Sequence, residues 1–81
     1  MAIIYRILEI VREGDEDDAV VVRATDNVTN VAVQRRYIID PRFTLAQTRT
    51  RIKTDLQLAI AAANARKALR DQISPLIGTD I

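Results

Sequence analysis

TLAQTRTRIKTDLQLAIAAANARKALRDQI, residues 44–73, reads as one uninterrupted α-helix, and its length constrains everything else in the chain. At a rise of roughly 1.5 Å per residue it extends about 45 Å. A compact domain of this size has a radius of gyration of about 12 Å and is about 30 Å across. In the middle of the helix, residues 58–63 (LAIAAA) are apolar at six consecutive positions. At about 100° per residue such a run reaches every side of the helix. One small sheet cannot cover a cylinder on all sides, so the sequence predicts cover from other chains.

Two lines of apolar residues run along this helix. Leu45, Ile52, Leu56, Ala59, Ala63, Leu69 and Ile73 trace one stripe, interrupted by Arg66, which is the natural face for a sheet. Leu58, Ala62, Ala65 and again Leu69 trace a neighbouring line, and Ile60 lies off both. Alanine costs little in water, so the alanines alone fit a half-exposed, helix-favouring surface. Leu58 and Ile60 tip the reading toward a partner. The candidate protein interface is therefore Leu58, Ile60, Ala62, Ala65 and Leu69, with Arg49, Arg51, Arg66 and Arg70 pairing with acids on neighbours.

Both helix ends are signalled locally. Asp40-Pro41 offers an N-cap acceptor followed by a proline suited to a first helical position. Three residues later Thr44 and Gln47 match a capping box, so residues 41–43 read as a turn or first helical turn and continuous helix begins near Thr44. Pro75 disfavours helical geometry at Ser74 and ends the helix there.

Upstream, the chain reads as three strands. Residues 3–12 (IIYRILEIVR) are apolar on both faces, as suits a strand covered on two sides. Gly14 and the acids Asp15, Glu16, Asp17 and Asp18 form a turn. Residues 19–25 and 28–39 form the second and third strands. Asp26-Asn27 between them suits a two-residue hairpin loop, which places Val22 opposite Val31 and Val20 opposite Val33. That register puts Arg23 and Arg35 on the opposite face and lets the third strand outrun the second. The fold class is α+β: a three-stranded antiparallel sheet followed by one long C-terminal α-helix. It forms a single domain over residues 1–81, with strands in 1–39, helix in 40–74 and a tail in 75–81.

Composition narrows the function classes. The chain holds no cysteine and no histidine, so thiol chemistry and the commonest general base and metal ligand are missing together. Aromatic material for a ligand pocket is limited to Tyr5, Tyr37 and Phe43. Gly14 and Gly78 cannot build a glycine-rich phosphate cradle. No nucleophile stands beside a base in any recognisable pattern. The expectation is a protein that is not an enzyme, with no catalytic residue, no cofactor, no metal site and no small-molecule substrate. Glu9, Glu13 and the acids of residues 15–18 read as a solvated loop tip, because they lack the spacing of an oxygen-ligand calcium loop. No run approaches the roughly 18 apolar residues of a membrane span, and no basic region precedes an apolar block at the N-terminus. A soluble, unexported chain is expected.

Charge is unevenly placed. Residues 1–26 carry three Arg and seven acids, net −4, whereas residues 27–81 carry nine Lys/Arg and four acids, net +5. A solvated helix surface and an acidic loop account for this most simply. Head-to-tail pairing of copies, or a basic half on nucleic acid, are the other readings. At Arg49, Arg51 and Lys53 the basic residues spread around the helix and form no single stripe.

A short strand hairpin, the Asp40-Pro41 junction and a long Arg/Ala-rich helix ending at Ser74-Pro75 resemble the small structural proteins of tailed-phage virions. The resemblance covers the whole chain, rests on no diagnostic motif and carries over no functional residue. It implies a non-enzymatic assembly subunit of a capsid, neck, tail or baseplate. Its partners would be copies of itself or other structural proteins, and its location the virion assembled in host cytoplasm. The alternative is a small basic-helix DNA-binding or regulatory oligomer in the cytoplasm. No turn separates two short helices as a helix-turn-helix requires, and the acidic half repels DNA.

Overall fold

The structure is a computed structural model that describes residues 2–13 and 17–80, so the acidic turn expected around residues 14–16 lies outside the described residues. Strands β1 (Ile3–Glu13), β2 (Asp17–Asp26) and β3 (Ala32–Ile38) are followed by helix α1 (Leu45–Ile73) and a 3-10 turn, Ser74–Leu76. The sheet is antiparallel with order β1-β2-β3, as the α+β reading predicts. β2 is central, and the sequence shows why. Ala19, Val20, Val21, Val22 and Ala24 are small or β-branched and all are buried. Val20, Val22 and Ala24 face the helix and form the core with Leu56 and Ile60. Ile3, Tyr5, Val31, Val33, Tyr37 and Ile52 pack around that core.

The molecule is longer than a globule of its size. Its radius of gyration is 16.6 Å and its extents are 53 × 29 × 18 Å. Helix α1 lies along β3, with Tyr37 bonded to Asp55 near one end of the strand and Thr29 bonded to Asn64 beyond the other, and runs on past the sheet. Its fully buried residues, Leu56, Ala59 and Ile60, fall within a single turn of one another. Thr48, Ile52, Ala63, Asn64 and Lys67 are half-buried around them, and from Ala68 to Asp80 every residue is exposed. The sheet-facing stripe is therefore shorter than the periodicity predicts. Leu45, Leu69 and Ile73 lie outside it, all more than half exposed. Helix and sheet run alongside each other from Thr48 to Lys67, and the helix continues beyond that stretch without cover.

The hairpin differs from expectation in one informative way. Val22 pairs with Arg35, Ala24 with Val33 and Val20 with Tyr37, so the loop has four residues, Asn27 to Asn30, instead of two. Asp26 N–H donates to Val31 O at 2.9 Å, and Asn30 N–H donates to Asp26 O at 2.8 Å. Asn30, with φ of 60°, takes the left-handed conformation that the shorter loop would have asked of Asp26 and Asn27. Val31 and Val33 still face the helix, because the register differs by an even number of residues. Arg35 sits across from Val22 and, two residues from Val33, belongs to the helix side in either register, so its expected place beside Arg23 was an error of alternation. β3 does not outrun β2: it is paired along its full length, and Ile39 N–H extends the ladder to Asp18 O at 2.8 Å.

β1 is likewise not covered on two sides. It is an outer strand, and Ile4, Ile7 and Ile10 are each more than half exposed. Its pairing with β2 is broken by a β-bulge: Ile7 pairs with Val22 and Glu9 with Val21, leaving Leu8 as the extra residue.

The strand-to-helix junction follows its local chemistry. Asp40 Oδ1 accepts from Arg42 N–H at 3.0 Å while its carboxylate chelates the Arg42 guanidinium, which tightens residues 41–43 into a turn. Thr44 Oγ1 accepts from Gln47 N–H, and Gln47 Oε1 accepts from Thr44 N–H, completing the capping box. At the other end α1 stops at Ile73, but Ser74 keeps helical dihedrals (φ −51°, ψ −42°) and its N–H bonds Arg70 O. Pro75 is accommodated as an early residue of the 3-10 turn, where its missing N–H costs nothing.

Candidate interaction surface

The helix residues singled out by sequence divide cleanly by side. Ile60, expected to face outward, is 0% exposed and lies in the core beside Leu56. It is a stabilising core residue and cannot contact a partner. Leu58 is 69% exposed, and Ala62, Ala65 and Leu69 are exposed with it. At about 100° per residue these four fall on one line, on the far side of the helix from Leu56. Beyond Leu69 the line continues to Leu76, with Ile73 beside it and Ile77, 81% exposed, at its end. The result is an apolar ridge on the side of α1 turned away from the sheet, continuing onto the end of the helix beyond it.

Arg49, Arg51, Arg66 and Arg70 are all exposed. They form two groups separated by about four turns of helix, or about 22 Å. Arg51 lies over the Phe43 ring, its guanidinium carbon 4.1 Å from the ring centre. Arg66 and Arg70 are four residues apart and flank the Leu58–Leu69 line on one side. Lys67, pointing the other way, pairs with Asp71 at 3.0 Å. Both of those side chains are substantially exposed, so the pair contributes little to stability.

One open cleft, of about 470 Å³, lies where the end of β3 and the linker after it face the first half of α1. Phe43, Ile39 and Ile52 supply its apolar wall, and Tyr37, Asp55 and Arg51 its polar groups. The Tyr37 hydroxyl donates to Asp55 Oδ2. Burial, and then that bond to a carboxylate, push the phenol well above its ordinary value.

A polar cluster that the sequence reading did not identify joins the β2–β3 loop to the helix. Asp26 is fully buried. Its Oδ1 accepts from Val28 N–H at 2.9 Å and its Oδ2 from Asn64 Nδ2 at 2.9 Å. Thr29 Oγ1 donates to Asn64 Oδ1 at 2.8 Å, closing the ring. The Val28 N–H is the foremost cause that holds the Asp26 carboxyl below its ordinary range; Asn64 and Thr29 add to it against the cost of burial. The sequence signal was a lone Asn64 within an alanine run, a residue type that weakens a helix interior unless its amide is bonded.

Among the described residues no helix is long and apolar enough to cross a membrane. No family model, curated protein or solved structure matches the chain.

Proposed function

We propose that this chain is a non-enzymatic structural subunit, completed by neighbouring chains in a larger assembly. The carrying observation is the apolar ridge of Leu58, Ala62, Ala65 and Leu69, continued by Ile73 and Leu76, on the side of α1 that the sheet leaves uncovered. Alanines at the centre of such a ridge let another backbone approach closely, and leucines at its ends supply the apolar area. Arg66 and Arg70 beside the ridge suit carboxylates on the neighbour. Resemblance supports the further reading that the assembly is a tailed-phage particle, with the chain in its capsid, neck, tail or baseplate.

The experiment is sedimentation of the purified chain over a wide concentration range, alone and with the Leu58→Asp variant. Concentration-dependent association that Leu58→Asp weakens, with an unchanged far-UV CD spectrum, is the expected result. A monomer at every concentration that also fails to bind any purified virion fraction would overturn the reading.

A further inference from the structure

The outer edge of β1 is the second uncovered surface of the molecule, and its bulge gives it an unusual symmetry. Arg6 pairs across the ladder with Arg23, and Glu9 pairs with Val21. Arg23 and Val21 are two residues apart on β2, so Arg6 and Glu9 share the sheet face turned away from α1. In an unbroken strand, residues three apart point to opposite faces. The extra residue Leu8 is what brings them to the same side.

Turning this strand end for end about a two-fold axis normal to the sheet places Arg6 against Glu9 of the copy, and Glu9 against its Arg6. The same register sets Tyr5 against Ile10 and Ile4 against Val11. Each of these pairs also shares a face: Tyr5 and Ile10 oppose Ala24 and Val20 on the helix side, and Ile4 and Val11 oppose Thr25 and Ala19 on the other. No like charges meet.

Within one chain Arg6 is poorly placed. It stands directly across from Arg23, a like-charge pair, and among the described residues no carboxylate pairs with it. Glu9 of a second copy supplies that carboxylate twice per dimer, while the exposed Ile4, Ile7 and Ile10 each gain cover on the flank that faces the edge. We propose that β1 pairs antiparallel with β1 of a second copy of this chain, joining the two sheets into one continuous sheet. This goes beyond the helix-ridge reading and does not rest on it.

The test is sedimentation equilibrium of the full chain and three variants, Arg6→Glu, Glu9→Arg and the combined charge swap. Each single variant opposes like charges at two places in the dimer and is expected to raise the dissociation constant about tenfold or more. The swap restores opposite charges and is expected to return it to within roughly threefold of the original. Ile10→Lys, at a position 69% exposed in the single chain, is expected to dissociate the dimer with no loss of CD signal. A monomeric parent chain, single variants that dimerise normally, or a swap that fails to restore association each overturn the proposal. A dimer sensitive to Leu58→Asp but indifferent to the Arg6 and Glu9 variants overturns it while leaving the helix ridge as the contact.

Discussion

Asn64 Nδ2 donates to Asp26 Oδ2 at 2.9 Å, tying the middle of the helix to the loop between β2 and β3 across 38 positions of sequence. This bond and its neighbour from Thr29 to Asn64 set how far along the helix the sheet engages it. Apolar contacts alone would tolerate a slide of one turn, because Ile52, Leu56 and Ile60 repeat every four residues. Removing the amide leaves a buried carboxylate oxygen without its donor. Asn64→Ala improves intrinsic helix propensity, yet it is expected to lower the melting temperature by roughly 10 °C. A thermal scan in which Asn64→Ala melts at or above the parent temperature would show the cluster to be dispensable.

Adjacent helix positions are expected to behave in opposite ways. Ile60→Asp buries an unpaired carboxylate in the core and should abolish the folded CD and denaturation signals. Leu58→Asp, two residues earlier and on the exposed side, should change stability by no more than about 0.5 kcal/mol. Leu56→Ala should cost about 2–5 kcal/mol, as for any fully buried leucine. Equal tolerance of aspartate at positions 58 and 60 in urea titrations would be incompatible with the burial of Ile60 and the exposure of Leu58.

Acid should weaken the fold through Asp26. Its folded-state carboxyl titrates below its ordinary value of 3.8, so the unfolded chain binds the proton first as pH falls. The contribution is complete at neutral pH, starts to decline near the ordinary carboxylate range, and is lost as pH drops through the folded value. Asp40, held at about 2 by Arg42, has the same sign at an exposed site. Urea midpoints measured from pH 7 to pH 2 should fall on the acid side, and Asp26→Asn should flatten the fall while lowering the plateau at neutral pH.

The two tyrosines offer a paired test of hydroxyl satisfaction. The Tyr5 hydroxyl is buried with no partner among the described residues, although Lys53 lies 5.5 Å from its ring centre. The Tyr37 hydroxyl is bonded to Asp55. Tyr5→Phe is therefore expected to stabilise the chain by up to about 1 kcal/mol, and Tyr37→Phe to destabilise it by about 1 kcal/mol. Chemical denaturation of both variants distinguishes them by sign, which is easier to secure than a magnitude.

What the sequence made legible was local. The capping box at Thr44 and Gln47 and the turn after Asp40 each depend on residues a few positions apart, and each lies where the residue types require; α1 also ends before Pro75, but Ser74 keeps the helical dihedrals that the proline was expected to disfavour. The hairpin was misread because Asp26 has two possible uses. As a loop residue it would make a two-residue turn; as an acceptor for the Val28 N–H it starts a longer one, and its bond to distant Asn64 supports the second. Ile60 belongs to the sheet side by periodicity alone, since it follows Leu56 by four residues as Leu56 follows Ile52. A stripe extended through Leu69 and Ile73, which lie well round the helix from Leu56, leaves it out. The β1 bulge left no composition signal at all, since Leu8 is as good a strand residue as its neighbours.

The part of α1 beyond Lys67 shares none of the core's cooperativity. It is held as helix by its own hydrogen bonds and by Ala68 and Leu69, good helix formers, while free helices this short are marginal in water. Its amides should therefore exchange with deuterium by fraying, orders of magnitude faster than those around Leu56, whose opening requires the whole fold to open. Covering the ridge would slow them. The far end of the helix thus serves as a built-in reporter of occupancy, readable residue by residue without any label.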